Sequence, residues 1–232
     1  DRCSVAVDGL GRTFYGTYSG QVGYFDGVRW KELYNPGTAY VDNVYDIAFG
    51  PDGTVWLACD QFLKGWKGSM INYQHTDSGM SLNRSTNLCF DQNNNLWVCA
   101  AQGLAKYDGS SWKTFQAFTG TTTPMAVTPE GLSCDQQGRI WVGTRIGVAA
   151  IKDDQLDQFL PQYQYVHTIE CDNDGMLWLG FGAKERGLLE FDGENEVAWH
   201  TMDDGLPSNR INCIACDEAN NVWVGTNDGL AY

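Results

Sequence analysis

One short pattern recurs six times along this chain, and it limits the fold more than anything else in the sequence. The copies are Asp8-Gly-Leu-Gly-Arg-Thr-Phe14, Gly50-Pro-Asp-Gly-Thr-Val-Trp56, Asp91-Gln-Asn-Asn-Asn-Leu-Trp97, Asp135-Gln-Gln-Gly-Arg-Ile-Trp141, Asp172-Asn-Asp-Gly-Met-Leu-Trp178 and Asp217-Glu-Ala-Asn-Asn-Val-Trp223. Their aromatic anchors are 42, 41, 44, 37 and 45 residues apart. A repeat of about 40 to 50 residues built from short strands is a propeller blade. The expected fold is therefore all-β, with six blades of about 1–40, 41–82, 83–127, 128–163, 164–207 and 208–232.

Each repeat reads as four strands. An apolar strand A, such as Asn212–Cys216, precedes the Asp-x-x-Gly/Asn turn, whose residues bond the local backbone or accept positive φ. Strand B alternates, as in Ile140-Trp-Val-Gly-Thr144. A loop containing Gly20, Gly103, Gly147, Gly187 or Gly229 leads to strand C. That strand ends in a hairpin signal in Phe25-Asp-Gly27, Tyr107-Asp-Gly109 and Phe191-Asp-Gly193. Strand D carries Trp30, Tyr73, Trp112, Phe159 or Trp199. All nine tryptophans have places in this scheme, so they are expected to pack blade on blade. The sixth repeat reaches Tyr232 within strand C. Either the last blade has three strands, or the chain belongs to a seven-bladed or longer array.

Leu206-Pro-Ser-Asn-Arg-Ile-Asn-Cys-Ile-Ala-Cys-Asp217, followed by Asn221-Val-Trp-Val-Gly-Thr-Asn-Asp-Gly-Leu230, resembles the two-component regulator propeller repeat. Gly79–Asn83 through Gly103–Gly109 is a second good match. Phe14 and Gly50 depart from the pattern. The resemblance implies a propeller of the kind found in extracytoplasmic sensor regions of bacterial hybrid histidine kinases, often glycan-sensing, or in stand-alone proteins. It implies fold more firmly than function, because propellers host many chemistries.

The net charge is −14, which disfavours nucleic acid as a partner. No apolar run of 18 residues is present, so no membrane insertion is expected. The chain opens Asp1-Arg2-Cys3 without a signal peptide, reading as a mature or cut form. Eight cysteines would suit a secreted disulfide framework. However, Cys134, Cys171 and Cys216 occupy one slot on successive strands A, and Cys3, Cys59, Cys89, Cys99 and Cys213 read similarly. Buried thiols acting as small hydrophobes are expected, with no zinc site and no cofactor. Thiols favour a reducing or anaerobic setting, whereas the resemblance implies a periplasmic or extracellular one.

In a propeller the D–A and B–C loops share one face and the A–B and C–D loops the other. Sorted this way, the turn face carries fourteen carboxylates against four cations, and the loop face eight against six. The turn face reads as turn chemistry and solubility. The loop face offers Arg84 and Arg210, in one repeated slot, and the departures Arg145, Lys184 and Arg186. Arginine forks suit carboxylates, phosphates or sugar hydroxyls. The loop end of strand A adds Tyr45, Asp46, Asn87, His167 and Asn212, a polar set able to orient a ligand. Glu170 stands where other blades have Ala6, Ala48, Cys89, Ser133 and Ala215, an unusual place for a carboxylate. His75 and His200 are expected at the surface, just past strand D.

The leading function is a non-enzymatic sensing propeller, with a small polar ligand or glycan fragment at the loop face. The alternative is a protein-interaction scaffold. A third class, a lyase or hydrolase, would use His167 with Glu130 or Glu170 as acid–base groups. No nucleophile, metal set or paired carboxylates mark it, so no catalytic or metal-binding residue is assigned.

Overall fold

A computed structural model describes residues 4–37, 42–73, 84–100, 103–116, 127–144, 147–182, 186–217 and 219–232, with main chain only at 127–130. The contacts group into two compact units, Asp1–Thr114 and Phe115–Tyr232. Unit 1 contains three antiparallel meanders. They are β1 (Ser4–Val7), β2 (Thr13–Gly16), β3 (Val22–Phe25) and β4 (Trp30–Tyr34); β5 (Val44–Phe49), β6 (Val55–Cys59), β7 (Leu63–Trp66) and β8 (Met70–Tyr73); and β9 (Asn87–Phe90), β10 (Leu96–Ala100), β11 (Gly103–Tyr107) and β12 (Trp112–Phe115). Strand β12 ends one residue past the unit boundary.

Unit 2 repeats the plan. Its sheets are β13 (Val127–Cys134), β14 (Ile140–Thr144), β15 (Gly147–Lys152) and β16 (Gln155–Phe159); β17 (Val166–Cys171), β18 (Leu177–Phe181), β19 (Leu188–Phe191) and β20 (Glu196–His200); and β21 (Ile211–Cys216), β22 (Val222–Thr226) and β23 (Gly229–Ala231). The last has three strands among the described residues. Within unit 2 the inner strands β13 and β17 pair in parallel at Gly131 and Ile169.

The turn signature has a local physical cause. In five repeats the Asp Oδ1 accepts the backbone N–H groups two and four residues on: Leu10 and Arg12, Asn93 and Asn95, Gln137 and Arg139, Asp174 and Met176, Ala219 and Asn221. The fourth turn residue has positive φ, as in Gly138 at 74° and Asn220 at 65°. This is the left-handed step that Gly and Asn tolerate. The Asp Oδ2 accepts the indole N–H of Trp97, Trp141, Trp178 or Trp223 at 2.8–3.1 Å. Asp and Trp six positions apart are thus one device, which ties the turn to strand B. The first repeat has Phe14 and no indole, and Arg12 takes the free Asp8 oxygen instead.

The cores sit between neighbouring sheets of each unit. In unit 1, Trp56 packs against Tyr73 and Tyr107, while Phe14 packs against Tyr24 and Phe49. In unit 2, Trp141 is fully buried against Phe159 and Phe191. The expectation that every tryptophan is blade packing needs two corrections: Trp30 is 59% exposed and packs on Tyr15 and Phe25 of its own sheet, and Trp223 is 37% exposed and stacks on Tyr232. The loop glycine before strand C is required at Gly147. Its φ is +121°, and an added Cβ would meet the Phe159 and Leu160 carbonyl oxygens at 2.7 Å.

Candidate functional site

Within unit 1, the D–A segments before β5 and β9 meet the B–C loop after β6. Backbone bonds fasten the junction: Arg84 N–H to the Asp60 carbonyl at 2.6 Å, Ser85 N–H to Cys59 at 3.1 Å, and Asp60 N–H to Asn43 at 3.3 Å. On this frame sits a polar cluster. Asn43 Nδ2 donates to Asp60 Oδ2 at 2.7 Å, and the Tyr45 hydroxyl donates to Asp60 Oδ1 at 2.8 Å. Burial pushes the Tyr45 phenol's pKa up, and the Asp60 carboxylate adds to the rise.

Asn43 is 7% exposed, and its Oδ1 has no hydrogen-bond partner. The amide cannot simply turn over, because Oδ1 would then face the Asp60 carboxylate. The preceding residue forms an ion pair, Lys64 Nζ to Asp42 Oδ2 at 2.5 Å, both groups buried. The Lys64 ammonium also lies 5.5 Å from the Tyr34 ring centre.

Of the residues singled out from sequence, Tyr45 and Arg84 belong to this junction, and Asp46 and Asn87 lie on β5 and β9, the strands that follow the two D–A segments. Arg84 is exposed, with φ at 54°. Asp46 is partly exposed as a residue, but its carboxyl is buried. Oδ1 accepts from Ile47 N–H and Oδ2 from Leu88 N–H on β9, each at 2.8 Å. Burial pushes its pKa up to about 7 against the pull of these two bonds.

The described unit 2 candidates have neighbours of their own. His167 packs its ring beside Gly182 in the loop after β18. Glu170 lies near Cys171 and Cys216, whose pKa values its charge helps to raise. The two are three residues apart on β17, about 10 Å along the strand. The Arg186 guanidinium lies 5.2 Å from the Tyr163 ring centre, and the Tyr163 hydroxyl donates to Glu196. Arg210 is exposed, and Asn212 Nδ2 donates to Asn227 Oδ1 at 3.2 Å. Arg145 and Lys184 lie outside the described residues, as does the side chain of Glu130.

Unit 2 also holds a cavity of about 320 Å³, walled by Trp178, Leu188, Leu206, Val222 and Tyr232. His200 lines it, its side chain 37% exposed as expected but not free of contacts. It belongs to β20, pairs with Glu190 at 2.6 Å and lies near the Trp178 ring. The cavity's other polar side chains, Asp204 and Asn221, are bonded to Thr201 and Asp217.

Sequence reasoning missed Asn43 and Asp60. A signal existed: Asn43 stands seven residues before the turn, the slot that Arg84 and Arg210 fill. Likewise Tyr45–Asp60, His167–Gly182 and Asn212–Asn227 are equivalent strand-A/B–C-loop pairs.

None of the seven described cysteines is in a disulfide. Burial pushes Cys59, Cys171 and Cys216 up to about 12. Only the thiolate reacts. A thiol reagent at pH 8 is therefore expected to label exposed Cys213 in the native protein, and buried Cys59 and Cys99 only after urea unfolding. Rapid native labelling of Cys59 or Cys99 would contradict the structure.

Among curated proteins, none matches the chain by sequence. Solved structures similar in fold include the extracellular domain of the putative hybrid two component system BT3049 from B. thetaiotaomicron. It is 18% identical with a TM-score of 0.76, over 98% of this chain and 32% of that one. PorZ, a surface component of the type-IX secretion system of Porphyromonas gingivalis, gives 18%, 0.76, 99% and 38%. Virginiamycin B lyase from Staphylococcus aureus gives 11%, 0.73, 98% and 82%. The chain thus spans about a third of the first two. The family model described as two component regulator propeller matches residues 205–228. Residues 205–228 thus resemble a two component regulator propeller repeat, and the fold of the chain that carries them is a β-propeller.

Proposed function

We propose that this protein is a non-catalytic sensing propeller that binds a small polar ligand or glycan fragment, with the junction of Asn43, Tyr45, Asp60 and Arg84 as its site. One observation carries the reading: the Asn43 Oδ1, buried, locked in orientation by Asp60 and lacking a donor. A buried acceptor left unmade costs about 1–3 kcal/mol, so a donor-bearing ligand gains by filling it. The exposed Arg84 at the rim supplies a fork for a carboxylate or paired hydroxyls. Similarity to the extracellular domain of a putative hybrid two component system supports a sensing role. Similarity to a lyase is one of fold at 11% identity and carries no residue role to this chain.

A thermal-shift screen of oligosaccharides and organic acids tests the reading. A hit should raise the melting temperature of the wild type, and Asn43→Ala or Arg84→Ala should weaken its binding about tenfold. That factor corresponds to the loss of one good hydrogen bond, about 1.4 kcal/mol. The scaffold alternative gains if no small molecule binds while a protein partner holds equally well to both variants.

A further inference from the structure

Each packed junction between successive sheets within a unit joins two unlike faces. One is an anchor face, named for the aromatic six residues after the first turn residue. Phe14, Trp56, Trp141 and Trp178 hold that slot and pack on the sheet that follows. The other is a receiving face, built on the aliphatic residue three positions before the turn of the following sheet. Ile47, Leu88, Ile169 and Ile214 hold that slot, and all four are buried in the same clusters as the aromatics. In sheet β1–β4, Val5 pairs with Tyr15 and Ala6 with Phe14, so the receiving and anchor slots lie on opposite sides of the sheet.

One face of each kind is open. On sheet β1–β4 the receiving slot holds Val5, which is 63% exposed. Val7 and Trp30 share that side of the sheet, joined by the row Val7, Thr13, Phe25 and Trp30, and both are exposed. On sheet β21–β23 the anchor slot holds the exposed Trp223, stacked on Tyr232. Leu230 pairs with Gly225, two residues past Trp223 and on the same side. Leu230 and Tyr232 are 64% and 88% exposed. Apolar side chains scattered singly over a surface need no explanation, but a contiguous set on one sheet face marks an interaction site. Stacked repeats stay soluble when their open faces are polar, and these two are not.

We propose that the anchor face of β21–β23 on one copy of the protein packs on the receiving face of β1–β4 on a second copy, so that the chain self-associates head to tail. The occupant follows from the repeat. At the junctions within each unit a receiving face takes an anchor face of the same repeat, and every copy of the chain presents one open face of each kind. A foreign partner would have to supply a surface that a second copy already carries. Those junctions pair unlike faces, so the contact is heterologous, one patch against a different patch, and not a two-fold pairing of like with like. The proposal is independent of the Asn43 and Asp60 junction, which lies elsewhere in unit 1.

Sedimentation velocity over about 1 μM to 1 mM, the span of weak and transient affinities, tests this. The sedimentation coefficient of the wild type should rise with concentration. Val5→Glu should weaken association about tenfold or more, because the contact would bury a charge against apolar side chains. Leu230→Glu should do the same from the other face. Ile71→Glu, at an exposed position on β8 and off both faces, should leave association unchanged. The deciding measurement mixes the two face variants. Each keeps the face that the other has lost, so an equimolar mixture should form one-to-one dimers and go no further, while each variant alone stays monomeric. That recovery also shows that both variants fold; if either does not, Val7→Glu and Tyr232→Glu block the same faces. A wild type that stays monomeric to the highest concentration would overturn the proposal. So would folded variants whose mixture stays monomeric, which would mean that like faces pair, and so would a wild type whose association survives Val5→Glu and Leu230→Glu.

Discussion

Asp135→Ala is expected to destabilise the protein by about 3–5 kcal/mol, the range for breaking a buried ion pair within a hydrogen-bond network. Asp135 is 2% exposed. One oxygen accepts the N–H groups of Gln137 and Arg139; the other accepts the Trp141 indole at 2.8 Å and Arg139 Nε at 2.5 Å. The Arg139 guanidinium also lies 4.8 Å from the Trp141 ring centre. Burial raises the pKa of this carboxyl, yet the Trp141 and Arg139 bonds outweigh burial and hold it below the usual carboxylate range. Removing it strands four donors, one of them on a fully buried tryptophan. Asp217→Ala is the control. It removes the same turn bonds and the Trp223 contact, but at a more exposed site where water replaces them, so its effect should be far smaller. Urea unfolding of both variants measures the difference, and equal losses would sink the burial argument.

Lys64→Met should cost a similar amount, about 3–5 kcal/mol, because it leaves Asp42 buried without its cation. Asp42 keeps one bond, from Gln61 N–H at 2.8 Å, which does not compensate a full charge. The double change Asp42→Asn with Lys64→Met should recover most of the loss, since removing both charges also removes their desolvation cost. A double-mutant cycle by chemical denaturation reads the coupling. A double variant no more stable than Lys64→Met alone would show that packing around the Lys64 stem, and not its charge, is what matters.

The blade plan was legible because it is local. An Asp bonding its own turn, a left-handed Gly or Asn three residues later and an indole six residues later lie close along the chain, so the repeat writes them out as a pattern. The strand-D aromatics were legible for the same reason, and Trp112 and Trp199 pack on Tyr107 and Tyr163. Side-chain environment was less legible. Trp30 and Cys213 obey the repeat yet are exposed, and His200, at the surface as expected, has a partner in Glu190 that the repeat does not reveal.

Candidate site residues divide along the same line. Arg84 and Arg186 drew attention as cations, yet Arg186 is occupied by the Tyr163 ring. Asn43 drew none, because an uncharged amide carries no mark in a composition or charge count. Its importance comes from Asp60, 17 residues away, which fixes its orientation and leaves its oxygen without a donor.

The amino-acid sequence alone determined the repeat, its four-strand reading and the propeller class, because turn geometry and strand alternation depend on near neighbours in the chain. Tertiary structure decided which polar groups are satisfied. Asn43 meets Asp60, Lys64 meets Asp42 across 22 residues, and Asp46 reaches Leu88 across 42. Whether a buried oxygen has a donor depends on what folding brings beside it, and that is a property of the packed unit.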